Sequence, residues 1–176
     1  MALERKIFIQ ERYKNSKEWK QVKKIADGFY NYLLDPQTQK NLKEKNIPGA
    51  KSQRVEEVIT PYAEAIGFTS QKNKLFEKYK VSKLVPDYYL QISNTGVIIE
   101  VERGQTTQNN AALKDFWKAH ICDDADYLFL FVPMILRQNM SGKIQGKPFN
   151  ETVNRLSTLF EEKNYTNVRA VVIFGY

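Results

Sequence analysis

The chain has 176 residues, of which 42% are hydrophobic, 12% aromatic and 27% charged, with only 8 Gly and 6 Pro. This composition fits one globular domain with a sizeable core and argues against disorder. A single cysteine, Cys122, excludes an intrachain disulfide, residues 1–10 hold no signal-peptide core, and the longest uncharged apolar run, Tyr127 to Leu136, is about half of a membrane span. A cytoplasmic protein is therefore expected. The net charge of +7 is concentrated at one end: residues 1–54 hold 13 Lys and Arg against 6 Asp and Glu, and the rest balances at 14 against 14. Such a surface suits a polyanion, nucleic acid being the commonest, although a solvated lysine-rich helix face gives the same count.

Trp19, Val22, Ile25, Ala26, Phe29, Tyr30 and Leu33 follow the i, i+3, i+4 rhythm of an amphipathic helix over Ser16 to Leu34, with lysines off the stripe and Asp35-Pro36 as its stop. Asp35 to Lys51 reads as a loop or frayed helix. Ser52 opens a second helix with Val55, Val58, Ile59, Tyr62 and Ile66 on one face and Gly67 as terminator. The period then changes to that of strands. Leu84 to Ile92 and Val97 to Arg103, joined by Ser93-Asn94-Thr95-Gly96, predict a β-hairpin. A helix over Asn109 to Ile121 would bury Leu113, Phe116, Trp117 and His120 or Ile121. A buried strand over Asp126 to Val132, a helix over Phe149 to Lys163 and a last strand over Val168 to Phe174 complete the order. The expected fold is α/β, a mixed sheet with helices on both faces, in which a basic helical subregion (1–51) precedes the core (52–176).

Within Gly96-Val97-Ile98-Ile99-Glu100-Val101-Glu102, strand alternation sends Val97, Ile99 and Val101 to one face and Ile98, Glu100 and Glu102 to the other. The two carboxylates stand about 7 Å apart at their Cα atoms. Paired like charges on an otherwise apolar strand call for a positive partner. Asp87 opens the preceding strand and, across a turn at 93–96, approaches Glu102 or the chain just beyond it, a bulge or slanted register bringing it nearer Glu100. Asp87, Glu100 and Glu102, with the main-chain carbonyl of Val101, make a hard-oxygen set suited to Mg2+ rather than zinc. The lone His120 and lone Cys122 cannot build a zinc centre or an ordinary triad. On the second helix Glu56 lies at the edge of the apolar stripe and Glu57 points away from it.

Pro86-Asp87, a spacer of 12 residues and Glu100-Val101-Glu102 resemble the PD-(D/E)xK nuclease signature. Ile99 to Gly104, Val132-Pro133 and Met140-Ser141-Gly142 are similar to the BglII/BstYI group of Type II restriction endonucleases, a match reaching from Pro86 to the C-terminus. The resemblance implies a restriction-endonuclease-like fold and a Mg2+-dependent hydrolysis of phosphodiester bonds in double-stranded DNA. It makes Asp87 and Glu100 the metal ligands and Glu102 either the group that deprotonates water or a ligand of a second metal, and it implies a further carboxylate from an N-terminal helix, for which Glu56 is the choice. It implies a homodimer, or a partner subunit supplying recognition or second-strand cleavage. Where the superfamily pattern has lysine this chain has Glu102, so charge on the phosphate falls to the metal and to Arg103 or Lys118. The polar run Gln105-Thr106-Thr107-Gln108-Asn109-Asn110 offers Gln105, Thr106, Gln108 and Asn109 as nucleic-acid contacts beside Arg103 and Lys118. A nuclease-like protein that binds nucleic acid without cutting, and a purely structural protein whose glutamates face solvent, are the competing readings.

Overall fold

The computed structural model describes residues 3–70, 75–79, 84–103 and 110–176. In chain order the elements are β1 (Glu4–Ile9), α1 (Lys17–Leu34), α2 (Pro36–Lys45), α3 (Gln53–Ala65), β2 (Thr69–Ser70), β3 (Tyr88–Ile92), β4 (Thr95–Val101), α4 (Ala111–Ile121), β5 (Tyr127–Val132), β6 (Leu136–Arg137), β7 (Ile144–Gly146), α5 (Pro148–Ser157) and β8 (Ala170–Gly175). Six strands form one mixed sheet in the order β1-β8-β5-β4-β3-β2, and β6 with β7 makes a separate ribbon. The β4/β5 and β5/β8 pairs are parallel; the other neighbours in the sheet are antiparallel.

Strand alternation divides the core into two layers. Val97, Ile99, Val101, Tyr127, Phe129, Phe131, Val172 and Phe174 face α1, α2 and α3. Ile98, Leu128, Leu130, Val132, Val171 and Ile173 face Phe116 and Ala119 of α4 and Phe149 and Leu156 of α5. Parallel β4 and β5 require a crossover, and α4 supplies it on the face opposite α1. That places α4 directly over the even-numbered side chains of β4, where Glu100 stands.

Three elements differ from the sequence expectation. Residues 4–9 form β1, pairing antiparallel with β8 from Glu4↔Gly175 to Ile9↔Ala170, so the N-terminal region is built into the sheet. This short strand, with charges at three of its first positions, carries no clear period of its own. Residues 36–45 are a full helix, started by Asp35, whose Oδ2 accepts from the Thr38 amide at 2.9 Å, and by Pro36 in its first turn. The β6–β7 ribbon leaves no period in the sequence, its strands being only two and three residues long.

The hairpin turn is also shorter than expected. Ile92 pairs with Thr95, leaving Ser93 and Asn94 as a two-residue loop in which Ser93 takes a φ of 52°. Gly96 is fixed by crowding: a Cβ there would run into the Tyr89 ring and lie 2.8 Å from the Leu90 carbonyl oxygen.

The hub of the α1 side is Phe29, fully buried, with its ring 5.0 Å from Tyr62, 5.8 Å from Phe68, 6.0 Å from Phe129 and 5.3 Å from Phe131, all edge-on. Phe29→Ala removes the ring on which helix and sheet meet. It is expected to cost about 3–5 kcal/mol, read as a lower denaturant midpoint in urea unfolding.

Candidate active site

The shortened turn sets the site. With Tyr88 opposite Ile99, Asp87 stands opposite Glu100 rather than Glu102, and it lies just beyond the last ladder pair. There the Val101 amide, pointing towards β3, donates to Asp87 Oδ2 at 2.7 Å. The carboxylate thus takes a bond that the ladder leaves open at this edge, which locks it against the end of β4.

Glu100 is 4% exposed and faces α4. Two residues of α4 answer it, Asp115 and Lys118, spaced i, i+3 on one face and exposed by 3% and 5%. Lys118 Nζ stands 2.5 Å from Glu100 Oε1 and 3.0 Å from Asp115 Oδ1. Glu102 follows β4 and is held through its main chain: its amide donates to the Phe131 carbonyl at 2.8 Å, and its carbonyl accepts from the Tyr176 hydroxyl at 2.5 Å. Asp115 of α4 acts on its carboxylate as a neighbouring like charge.

The charge balance is strongly negative, and the titration of the group follows. Burial, reinforced by Glu56, raises the Asp87 carboxyl to about 7. Burial, with Asp115 beside it, raises Glu102 to about 8 and Glu100 well above the usual carboxylate range. Burial opposes the charge of Lys118, but Glu100 and Asp115 outweigh it and hold the ammonium more firmly protonated than a free lysine.

Asp87, Glu100 and Glu102 gather at the C-terminal end of β4, as does the main chain of Val101. Among the described residues, however, no three Asp, Glu, His or Cys side chains are set around one point for metal ligation. The positive centre within the cluster is Lys118. The donor chemistry still suits a hard cation: the groups are carboxylate oxygens with raised proton affinity, and buried Asp115 Oδ2 has no hydrogen-bond partner.

The other expected residues divide sharply. Glu56 is half-buried on α3 and acts on Asp87, whereas Glu57 is exposed and pairs with Lys45 at 2.5 Å. Arg103, expected at a phosphate, is instead 6% exposed: its guanidinium donates to Asn46 Oδ1 at 3.1 Å and to the carbonyls of Ala50 and Ile47. It pins the 46–50 loop against the end of β4. Lys118 is buried among carboxylates rather than displayed to a ligand. Gln105, Thr106, Gln108 and Asn109 lie outside the described residues.

Asp115 was missed. The apolar rhythm of α4 had placed Leu113, Phe116 and Trp117 inside, but the helix buries Ala112, Asp115, Phe116, Lys118 and Ala119 and leaves Trp117 41% exposed. The i, i+3 pair of opposite charges, Asp115 and Lys118, was the available signal. His120 is engaged by its own surroundings, its Nδ1 accepting from the Asn167 amide at 3.1 Å.

An open cleft of about 920 Å3 adjoins the cluster, running from Glu102 and Arg103 past Gly49, Lys51 and Gln53 to Arg137, Gln138 and Asn139 of the ribbon. Lys17, Lys20, Lys23 and Lys24 of α1 are exposed to solvent away from its lining. No described helix is long and apolar enough to cross a membrane.

No family model and no curated protein matches the chain. Among solved structures the chain is similar to one described as restriction endonuclease BglII complexed with a DNA 16-mer, with a TM-score of 0.48 and 12% identity over 99% of this chain and 78% of that one.

A carboxyl whose folded pKa exceeds its unfolded value binds its proton more tightly when folded, so its stabilisation is present at low pH and lost as pH rises through the folded value. For Asp87 and Glu102 that window runs from ordinary values of 3.8 and 4.5 up to about 7 and about 8. In EDTA the melting temperature should fall across this window, and Glu100→Gln, which deletes one buried carboxylate, should flatten the fall. Thermal melts at about pH 5 and about pH 9 check both.

Proposed function

We propose that this chain is a Mg2+-dependent endonuclease that hydrolyses phosphodiester bonds of double-stranded DNA. The observation that carries the reading is the meeting, at one end of β4 and beside an open cleft, of Asp87, Glu100 and Glu102 with the ammonium of Lys118. Solvated glutamates of an edge strand would not be buried, nor would β4 lie between two strands.

In this reading Asp87, Glu100 and the Val101 carbonyl hold the cation, and Glu56 adds negative charge from the α3 side. Bound magnesium supplies charge neutralisation for the phosphate and the leaving oxygen. Glu102, on the same face of β4 as Glu100 and with its proton affinity raised by burial and Asp115, would take the proton of an attacking water. Lys118 occupies the charge left by the lysine absent from the strand: its ammonium reaches Glu100 and Asp115 from α4 and orients those carboxylates. Lys51 and Arg137 along the cleft give salt-sensitive affinity for the phosphate backbone. A sequence-specific Type II enzyme acting as a homodimer, with one site for each strand, is the finer form of the proposal; a partner subunit supplying recognition or the second cut is its variant.

Incubation of mixed-sequence plasmid DNA with the chain should give discrete fragments in Mg2+ and none in EDTA. Asp87→Ala and Glu100→Gln should each lower the rate by about 10²–10³-fold. Lys118→Met should do the same and also reduce stability in EDTA by about 3–5 kcal/mol, because it strands buried carboxylates without a counter-charge. Salt-sensitive binding without cleavage in Mg2+ or Mn2+ would leave a nucleic-acid-binding protein in place of the enzyme.

A further inference from the structure

The parallel ladder between β4 and β5 runs out at a proline. Val101 stands opposite Phe131, and the Glu102 amide donates to the Phe131 carbonyl at 2.8 Å. The next bond of a parallel ladder runs from the amide two residues further along the partner strand back to the Glu102 carbonyl. That residue is Pro133, which has no N–H to give. A side chain supplies the donor instead: the Tyr176 hydroxyl, reaching from the end of β8, bonds the Glu102 carbonyl at 2.5 Å. Tyr176 is 1% exposed, and its own main chain is held on both sides, its amide donating to the Val132 carbonyl at 3.0 Å and its carbonyl accepting from the Met134 amide at 2.7 Å. Burial raises the hydroxyl's hold on its proton, so it remains a donor.

We infer that Tyr176 is a positioning residue for Glu102, its hydroxyl replacing the ladder donor that Pro133 lacks and fixing the main chain from which the Glu102 carboxylate projects; this rests on the reading above, in which Glu102 takes the proton of the attacking water. The Phe131 bond restrains the backbone on the amide side of the Glu102 Cα and the Tyr176 bond restrains it on the carbonyl side, and the two together set the direction of the side chain. Without the hydroxyl, the peptide joining residues 102 and 103 loses its bond to the sheet and is free to turn at the end of the strand. A shift of about 1 Å in a reacting group costs as much as about 100-fold in rate, so one hydroxyl that never meets the substrate carries weight in the reaction.

The test is the kinetics of plasmid cleavage in Mg2+ by the whole chain, for the parent, Tyr176→Phe, Pro133→Ala and the double variant of the two, each shown folded by its melt in EDTA. Tyr176→Phe keeps the ring and its packing and removes only the donor. It should lower kcat by about 10-fold with KM unchanged. Pro133→Ala returns an N–H to the ladder position, so adding it to Tyr176→Phe should recover most of the lost rate. In a Glu102→Gln background, Tyr176→Phe should cost nothing further, because it acts through Glu102. A parental kcat in Tyr176→Phe, a loss that appears in KM instead, or an equal further loss in the Glu102→Gln background overturns the positioning role and leaves the nuclease reading standing. A loss in kcat that Pro133→Ala leaves untouched overturns the exchange of donors on which the inference is built. Absence of cleavage by the parent overturns both readings.

Discussion

Everything at this end of the molecule depends on holding several carboxylates together in a place that water barely reaches. Glu100 occupies a position on β4 where the neighbouring strands place Leu130 and Ile173 in the same layer. A bare carboxylate there would be costly, and no packing advantage accounts for it. Lys118 makes it tolerable, and because Lys118 is itself buried, helix and strand hold each other's charge. A pair of this kind is poor evidence of stability, since an apolar pair of similar volume would serve the fold as well or better. The proposed function gives this buried pair a reason that packing does not.

The backbone that presents these groups is rigid by construction. β4 is hydrogen-bonded on both sides, to β3 and to β5, and the Asp87 carboxylate and the Tyr176 hydroxyl extend that bonding to the main chain of residues 101 and 102. Arg103 continues the same strategy one residue on, tying the end of the strand to the 46–50 loop. The floor of the cleft is thereby fixed, while its far wall is the short β6–β7 ribbon, whose two strands are joined to each other and lie outside the main sheet. In the proposed nuclease reading, chemistry would fall to the rigid strand end and contact with the polymer to the separate ribbon.

The N-terminal region serves the core before it serves any ligand. Its apolar stripe, from Trp19 to Leu33, closes one face of the sheet, and β1 covers the outer edge of β8. Of its many lysines, those of α1 lie on the solvated side of that helix, and Lys51 is the one that lines the cleft. The basic excess counted along the chain therefore says less about the site than the few cations around the cleft do.

The sequence by itself determined what alternation and periodicity can encode: the amphipathic helices α1 and α3, the buried strands β5 and β8, and the placement of Glu100 and Glu102 on one face of β4. It also singled out Asp87 and chose Glu56 over Glu57, since each of these follows from local pattern. Tertiary structure decided which of those groups meet. A loop of two residues in place of four moved Asp87 opposite Glu100, because every added pair of turn residues shifts an antiparallel register by two. The rotation of α4 that packs Ala112, Phe116 and Ala119 on the sheet also brings Asp115 and Lys118 inward to Glu100 and leaves Trp117 outside. Arg103 went to a loop 53 to 57 residues earlier in the chain. Such pairings join residues far apart in sequence through the energy of burying charge, which no local pattern records.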